Sequence, residues 1–118
     1  MSPLSESIRY LSAVAFLGFG AACLMTEHMV GEFERYGLAR FRVLVGWLEI
    51  AGAVGLLLGA ASRPLLVAAA GGLALLMLLG LVTRVVTHDS WLQMLPAAAL
   101  LALNVYLVVR TLDAEAPA

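Results

Sequence analysis

Glu49 is the only acid in the apolar run from Val43 to Ala61. An isolated carboxylate in such surroundings has a short repertoire: it latches helices together through hydrogen bonds, or it binds a proton, an ion or a ligand. At the middle of a bilayer an ionisable side chain costs about 3 kcal/mol on insertion scales, so it faces protein and not lipid. At helical spacing Glu49 shares its face with Gly46, Gly52 and Ala53, and a face that bare lets a neighbouring helix come close. Two guanidinium groups are candidate counter-charges, Arg42 earlier in the same run and Arg84 at the far end of the next one. The sequence therefore predicts an interior polar site built from Glu49 with Arg42 or Arg84, either as a structural latch or as a binding carboxylate.

Two other groupings of reactive side chains compete for attention. Glu27-His28 and His88-Asp89 close the first and third apolar runs, and in an antiparallel bundle these ends share a side, where they would offer imidazole and carboxylate ligands. No HxxxH or ExxH spacing forces them together, so the expectation is solvated interfacial residues and no metal. Cys23, the single cysteine, excludes an internal disulfide, and it lies in a Gly/Ala-rich run as a packing residue with no assignable triad. No catalytic residue is expected. Trp47 and the five methionines read as packing residues, the alternative being the lining for an apolar ligand such as a quinone or lipid tail.

The elements that must position these residues are membrane helices. Hydrophobic residues make up 63% of 118 positions, which is more apolar surface than a soluble domain of this size can hide. The runs predict an all-α, antiparallel four-helix membrane bundle as a single domain over 1–118, with spans near 8–27, 42–62, 64–86 and 91–110. The first run reads as a retained span and not as a signal peptide, because three further apolar runs follow it. Between the first two spans, Gly31 to Arg42 mixes aromatics with both charges and reads as an interfacial segment, with Phe33, Tyr36 and Phe41 at headgroup depth.

Smaller signals refine the picture. Ser5 or Ser7 is a candidate cap for the first helix, Ser90 for the fourth, and Pro64 suits the first turn of the third. Gly46, Gly52, Gly55 and Gly59 are helix-packing candidates, the last two as a GxxxG pair. Asn104 reads as an interhelical hydrogen-bonding residue, and the tail from Thr111 as frayed. A net charge of −1 with seven scattered arginines and no lysine excludes a nucleic-acid surface. Arginine placement weakly favours cytoplasmic termini.

Tyr36-Gly37, followed by the stretch Val45-Gly46-Trp47-Leu48-Glu49-Ile50-Ala51-Gly52-Ala53-Val54-Gly55-Leu56-Leu57-Leu58-Gly59, resembles the second-helix signature of the DoxX-like family of small bacterial membrane proteins. Phe16-Leu17-Gly18-Phe19-Gly20-Ala21-Ala22-Cys23 is similar to that family's first-helix Phe/Gly pattern, except that Cys23 stands where many members have a lysine. If that lysine is the usual partner of the glutamate, this chain lacks it. The resemblance implies a four-helix multi-pass protein of the bacterial inner membrane. Related proteins are similar to subunits named for thiosulfate:quinone oxidation, and others to assembly factors. The expectation is a non-catalytic accessory, assembly or interaction subunit whose partners are the lipid bilayer and other membrane subunits or a second copy. It needs no cofactor. The alternative is a quinone- or lipid-binding component of a membrane oxidoreductase.

Overall fold

Four of the five α-helices begin on a side-chain cap, and those caps set the architecture. The computed structural model describes residues 2–115, with side chains through Asp113, and the regular structure among them is all helical. Helix α1, Pro3–Met25, opens on Ser2, whose hydroxyl accepts from the Ser5 N–H at 3.1 Å, with proline in the first turn. Thr26 ends α1 by donating its hydroxyl to the Ala22 carbonyl at 2.8 Å, and it caps α2, Glu27–Arg35, by accepting from the Met29 N–H. A short 3-10 turn, Ala39–Phe41, leads into α3, Arg42–Leu58. Ser62 caps α4, Arg63–Val86, which again carries a proline in its first turn. Ser90 and Gln93 form a reciprocal capping box at the start of α5, Trp91–Glu115: the Ser90 N–H donates to Gln93 Oε1 at 3.0 Å and the Gln93 N–H donates to Ser90 Oγ at 3.4 Å.

These bounds differ from the sequence expectations at three places. The first helix starts at Pro3 because Ser2, and not Ser5 or Ser7, supplies the cap. The interfacial segment is helical from Glu27 onward, since Thr26 serves as the end of one helix and the start of the next. The tail expected to fray from Thr111 is helical to Glu115, with residues 116–118 outside the described residues.

Helices α1, α4 and α5, and α3 together with the 3-10 turn before it (Ala39–Leu58), are long and apolar enough to cross a membrane, and large apolar side chains such as Val14, Leu44, Leu58, Leu75, Val82 and Leu92 are exposed on the outside of the bundle. Helix α1 packs on α3, α4 on α5, and the α3–α4 hairpin joins the two pairs. The α1–α3 crossing is closest at Gly20 and Gly46: a Cβ on Gly20 would stand 2.9 Å from the Gly46 carbonyl oxygen, and one on Gly46 would stand 3.1 Å from that of Gly20. Gly52, Gly55 and Gly59 instead meet Leu73, Ala69 and Leu66 of α4. The glycines flanking Glu49 therefore serve two different helices, which corrects the single bare face read from spacing.

The bundle is filled at the end that holds Ser62. Phe16, Leu56, Leu66 and Leu107 are fully buried there, together with Arg9, Ser12 and Asn104. Asn104 Nδ2 donates to Ser12 Oγ at 2.9 Å and to the Leu100 carbonyl at 2.8 Å, and Ser5 Oγ lies 3.2 Å from the Tyr106 hydroxyl, so α1 and α5 are tied at this end. Arg9, only 1% exposed, donates Nη1 to the carbonyls of Leu56 at 2.9 Å and Leu57 at 3.1 Å. Those oxygens belong to the last turn of α3, where a helix has no partners of its own and carries negative partial charge. Arg42 does the reverse, reaching from the first residue of α3 to the Cys23 and Leu24 carbonyls of α1 at 2.6 and 3.3 Å. The two antiparallel helices thus cap each other's C-termini with arginine.

Candidate functional site

The other half of the bundle is hollow. A cavity of about 600 Å³ lies between the C-terminal part of α1, the N-terminal part of α3, the C-terminal half of α4 and the first turns of α5, and α2 crosses over it. A void of this size is in the range that holds a drug-sized organic molecule. Its walls are mostly apolar, from Phe19, Phe41, Val45, Leu76, Met77 and Leu100 among others. Polar groups concentrate at two levels. Glu49 and Cys23 are in the wall within the spans, whereas Arg84, Tyr36 and His28 stand at the end where α2 lies.

Glu49 is 5% exposed and points into the bundle. Its partner is Cys23, whose thiol donates to Oε2 at 3.5 Å across the α1–α3 interface. Oε1 has no hydrogen-bond partner, and Glu49 no ion pair, among the described residues. The expected pairing with Arg42 or Arg84 is corrected by this geometry, and the reason lies at the helix ends. Arg42 starts α3 beside two orphan carbonyls of α1, so its guanidinium is held there. Arg84 lies in the last turn of α4, 2.9 Å from Asp89 Oδ2 and 3.9 Å from Glu32 Oε2, so it has acids nearby and does not reach inward.

At the α2 end of the cavity stands an ion network that the sequence did not reveal, with Tyr36 and Arg84 in the cavity wall. Asp89 accepts from Arg35 at 2.7 and 3.1 Å, from Arg84 at 2.9 Å and from the Tyr36 hydroxyl at 3.3 Å, and its side chain is only 3% exposed. Glu32 accepts from Arg35 at 2.8 Å and from the Tyr36 hydroxyl at 3.0 Å. Two matching turns bring these groups together. Gly37, at φ 73°, ends α2 in a Schellman motif, with its N–H donating to Glu34 O at 3.0 Å and the Leu38 N–H to Phe33 O at 2.9 Å. His88, at φ 60°, ends α4 in the same way, through His88 N–H to Val85 O at 3.1 Å and Asp89 N–H to Arg84 O at 2.9 Å.

The hydrogen bonds from Arg35 and then Arg84 hold the Asp89 carboxyl down at about 2, and those from Arg35 and Tyr36 hold Glu32 below its ordinary value. The hydrogen bond to Asp89, followed by that to Glu32, raises Arg35. Burial, followed by the hydrogen bond to Glu32, pushes the Tyr36 hydroxyl up to about 12. All four groups are in fixed charge states near neutrality, which suits a clasp and not acid–base chemistry. The clasp joins α2 to the α4–α5 turn, and Phe33, 8% exposed, packs edge-on against Tyr36.

A family model described as the DoxX-like family matches residues 8–107. The chain belongs to the DoxX-like family. No curated protein and no solved structure matches it. In this DoxX-like membrane protein the second-helix signature places Glu49 in the wall of the cavity, and its glycines let α3 lie against α1 on one side and α4 on the other. Among the described residues no group of three or more His, Cys, Asp or Glu is placed to hold a metal ion. Asp89 is instead engaged by Arg35 and Arg84, and His88 serves the backbone turn. Cys23, read from the residues as a packing side chain and from the family resemblance as standing where many members have a lysine, is the contact of Glu49. The available signal was its position in the last two turns of α1, level with the first turns of an antiparallel neighbour.

Proposed function

We propose that this DoxX-like protein is a non-catalytic accessory subunit of the bacterial inner membrane that holds one small amphiphilic molecule in the hollow half of its bundle. The observation that carries the reading is the cavity of about 600 Å³ with apolar walls and a single buried carboxyl group, Glu49. Such a volume, part-open at the side of the bundle, suits a guest with an apolar body and a polar head, as quinones and single-chain lipids have. The non-catalytic part of the proposal rests on how the surrounding polar groups are used. Arg42 caps α1, while Arg84, Asp89, Arg35 and Tyr36 hold one another, which leaves Glu49 and Cys23 within the spans, and His28 at the α2 end, to meet a guest.

Purification in mild detergent with mass spectrometry of the bound small molecules tests the proposal. The expected result is one amphiphile near stoichiometric amount, lost when the cavity is filled by Ala97→Phe or Gly80→Leu. Both positions line the cavity, and a Cβ at Gly80 meets nothing within 4 Å. A parent protein carrying only bulk membrane lipid, unchanged in the filled variants, would overturn it.

A further inference from the structure

We infer that the head of the bound amphiphile is a protonated amine, seated against Glu49. The inference rests on the ligand-holding proposal above and adds the chemistry of the guest. Glu49 is buried on the cavity wall, Oε2 is met only by a thiol, and Oε1 has no partner among the described residues. Oε1 therefore faces the cavity, where a guest can meet it, and a thiol is a weak donor that leaves the carboxyl group open to a stronger partner.

The protein's own cations do not supply that partner. Arg42 is spent on the Cys23 and Leu24 carbonyls, and Arg84 on Asp89 and Glu32. Arg35 lies in the clasp outside the spans, and Arg9 caps α3 at the filled end. A cation that pairs with Glu49 therefore comes with the guest and not from these arginines. An ammonium group matches the vacant oxygen in two ways, by its charge and by an N–H that donates to Oε1. The rest of the wall suits the rest of such a molecule: the aliphatic side chains and the Phe19 and Phe33 rings take an apolar body. An anionic head is disfavoured, because the guanidinium in the wall, Arg84, is already neutralised by Asp89.

A matched pair of probes tests this directly: a naphthyl-octylamine and the naphthyl-octanol of the same skeleton, titrated into the protein in nanodiscs of uncharged lipid, with empty nanodiscs subtracted. The amine is expected to bind at least tenfold more tightly than the alcohol. Glu49→Gln should bring the two to equal affinity, and Glu49→Asp should keep the amine preference. Equal affinity in the parent protein, or a preference that survives Glu49→Gln, overturns the inference. If the alcohol binds as well as the amine, the ligand-holding proposal stands and only the amine assignment falls. If neither probe binds, both fall.

Discussion

Replacing Arg9 with methionine keeps most of the side-chain volume and removes the guanidinium from the filled end of the bundle. The structure sets the size of the effect. Arg9 donates to the Leu56 carbonyl at 2.9 Å in a buried position and to the Leu57 carbonyl at 3.1 Å in a partly buried one. Stranding the first costs about 1–3 kcal/mol as an unsatisfied buried acceptor, and the second, closer to solvent, costs about 1 kcal/mol. Removing a cation from the C-terminus of α3 adds about 0.3–1 kcal/mol. Against this stands the desolvation of Arg9 itself, 1% exposed and with Nε unpaired, which the methionine no longer bears. The Glu6 partner, whose side chain is 38% exposed, can turn to water, so its loss contributes little. The balance is a destabilisation of about 3 kcal/mol, and Arg9→Lys, able to serve one carbonyl well but not two, should fall at about half of that. Reversible unfolding in mixed lipid–detergent micelles against rising SDS measures it. A loss under about 1 kcal/mol in Arg9→Met would refute the claim that arginine capping joins α1 to α3.

Three further outcomes follow from particular contacts. Gly20→Ala should destabilise by about 1–3 kcal/mol through overpacking, because its Cβ would meet the backbone of α3 at 2.9 Å, whereas Gly18→Ala, with nothing within 4 Å, should be neutral or stabilising by up to about 1 kcal/mol in the same unfolding assay. His88→Gly should stabilise by up to about 1 kcal/mol, since His88 holds φ 60° at a position where glycine pays no steric cost, and Gly37→Ala should lose about 1–2 kcal/mol for the converse reason. Asp89 has a folded value of about 2 against an ordinary one of about 3.9, so its contribution is present above about pH 4 and is lost as pH falls through about 2. Amide exchange across 27–38 should therefore stay slow at pH 4 and rise as pH drops toward 2, while Asp89→Asn should show fast exchange in this segment at neutral pH. Slow exchange there in Asp89→Asn would show that the clasp does not hold α2.

The helices were legible because each span is a long apolar run bounded by cap chemistry, as at Ser62-Arg63-Pro64 and Ser90. The inward orientation of Glu49 was legible from the cost of exposing it to lipid. Its partner was legible only as a position, through the resemblance that sets Cys23 where many members have a lysine, because the thiol contact itself depends on the rotation of α1 against α3, which the Gly20–Gly46 approach sets. The role of Arg42 was within reach of sequence reasoning. An arginine in the first turn of one helix lies beside the C-terminal carbonyls of an antiparallel neighbour, and those carbonyls compete well against a distant carboxylate. The clasp around Asp89 was out of reach, since it joins residues 54 positions apart through two left-handed turns, one of them at a histidine. The cavity has no residue signature at all: it is the space left where α1 and α5, tied at Ser5–Tyr106 and Ser12–Asn104, enclose no filling side chains at the opposite end.

Photolabelling most directly tests whether the hollow half of the bundle is a binding site. A diazirine-bearing apolar amine, activated in nanodiscs holding the protein and followed by peptide mapping, should label the cavity-lining parts of 19–26, 45–49, 76–84 and 96–100, with labelling reduced by excess unlabelled amine and by Ala97→Phe. Labelling confined to outward-facing positions such as Leu11, Val14, Leu44 and Leu58, insensitive to competitor, would contradict it.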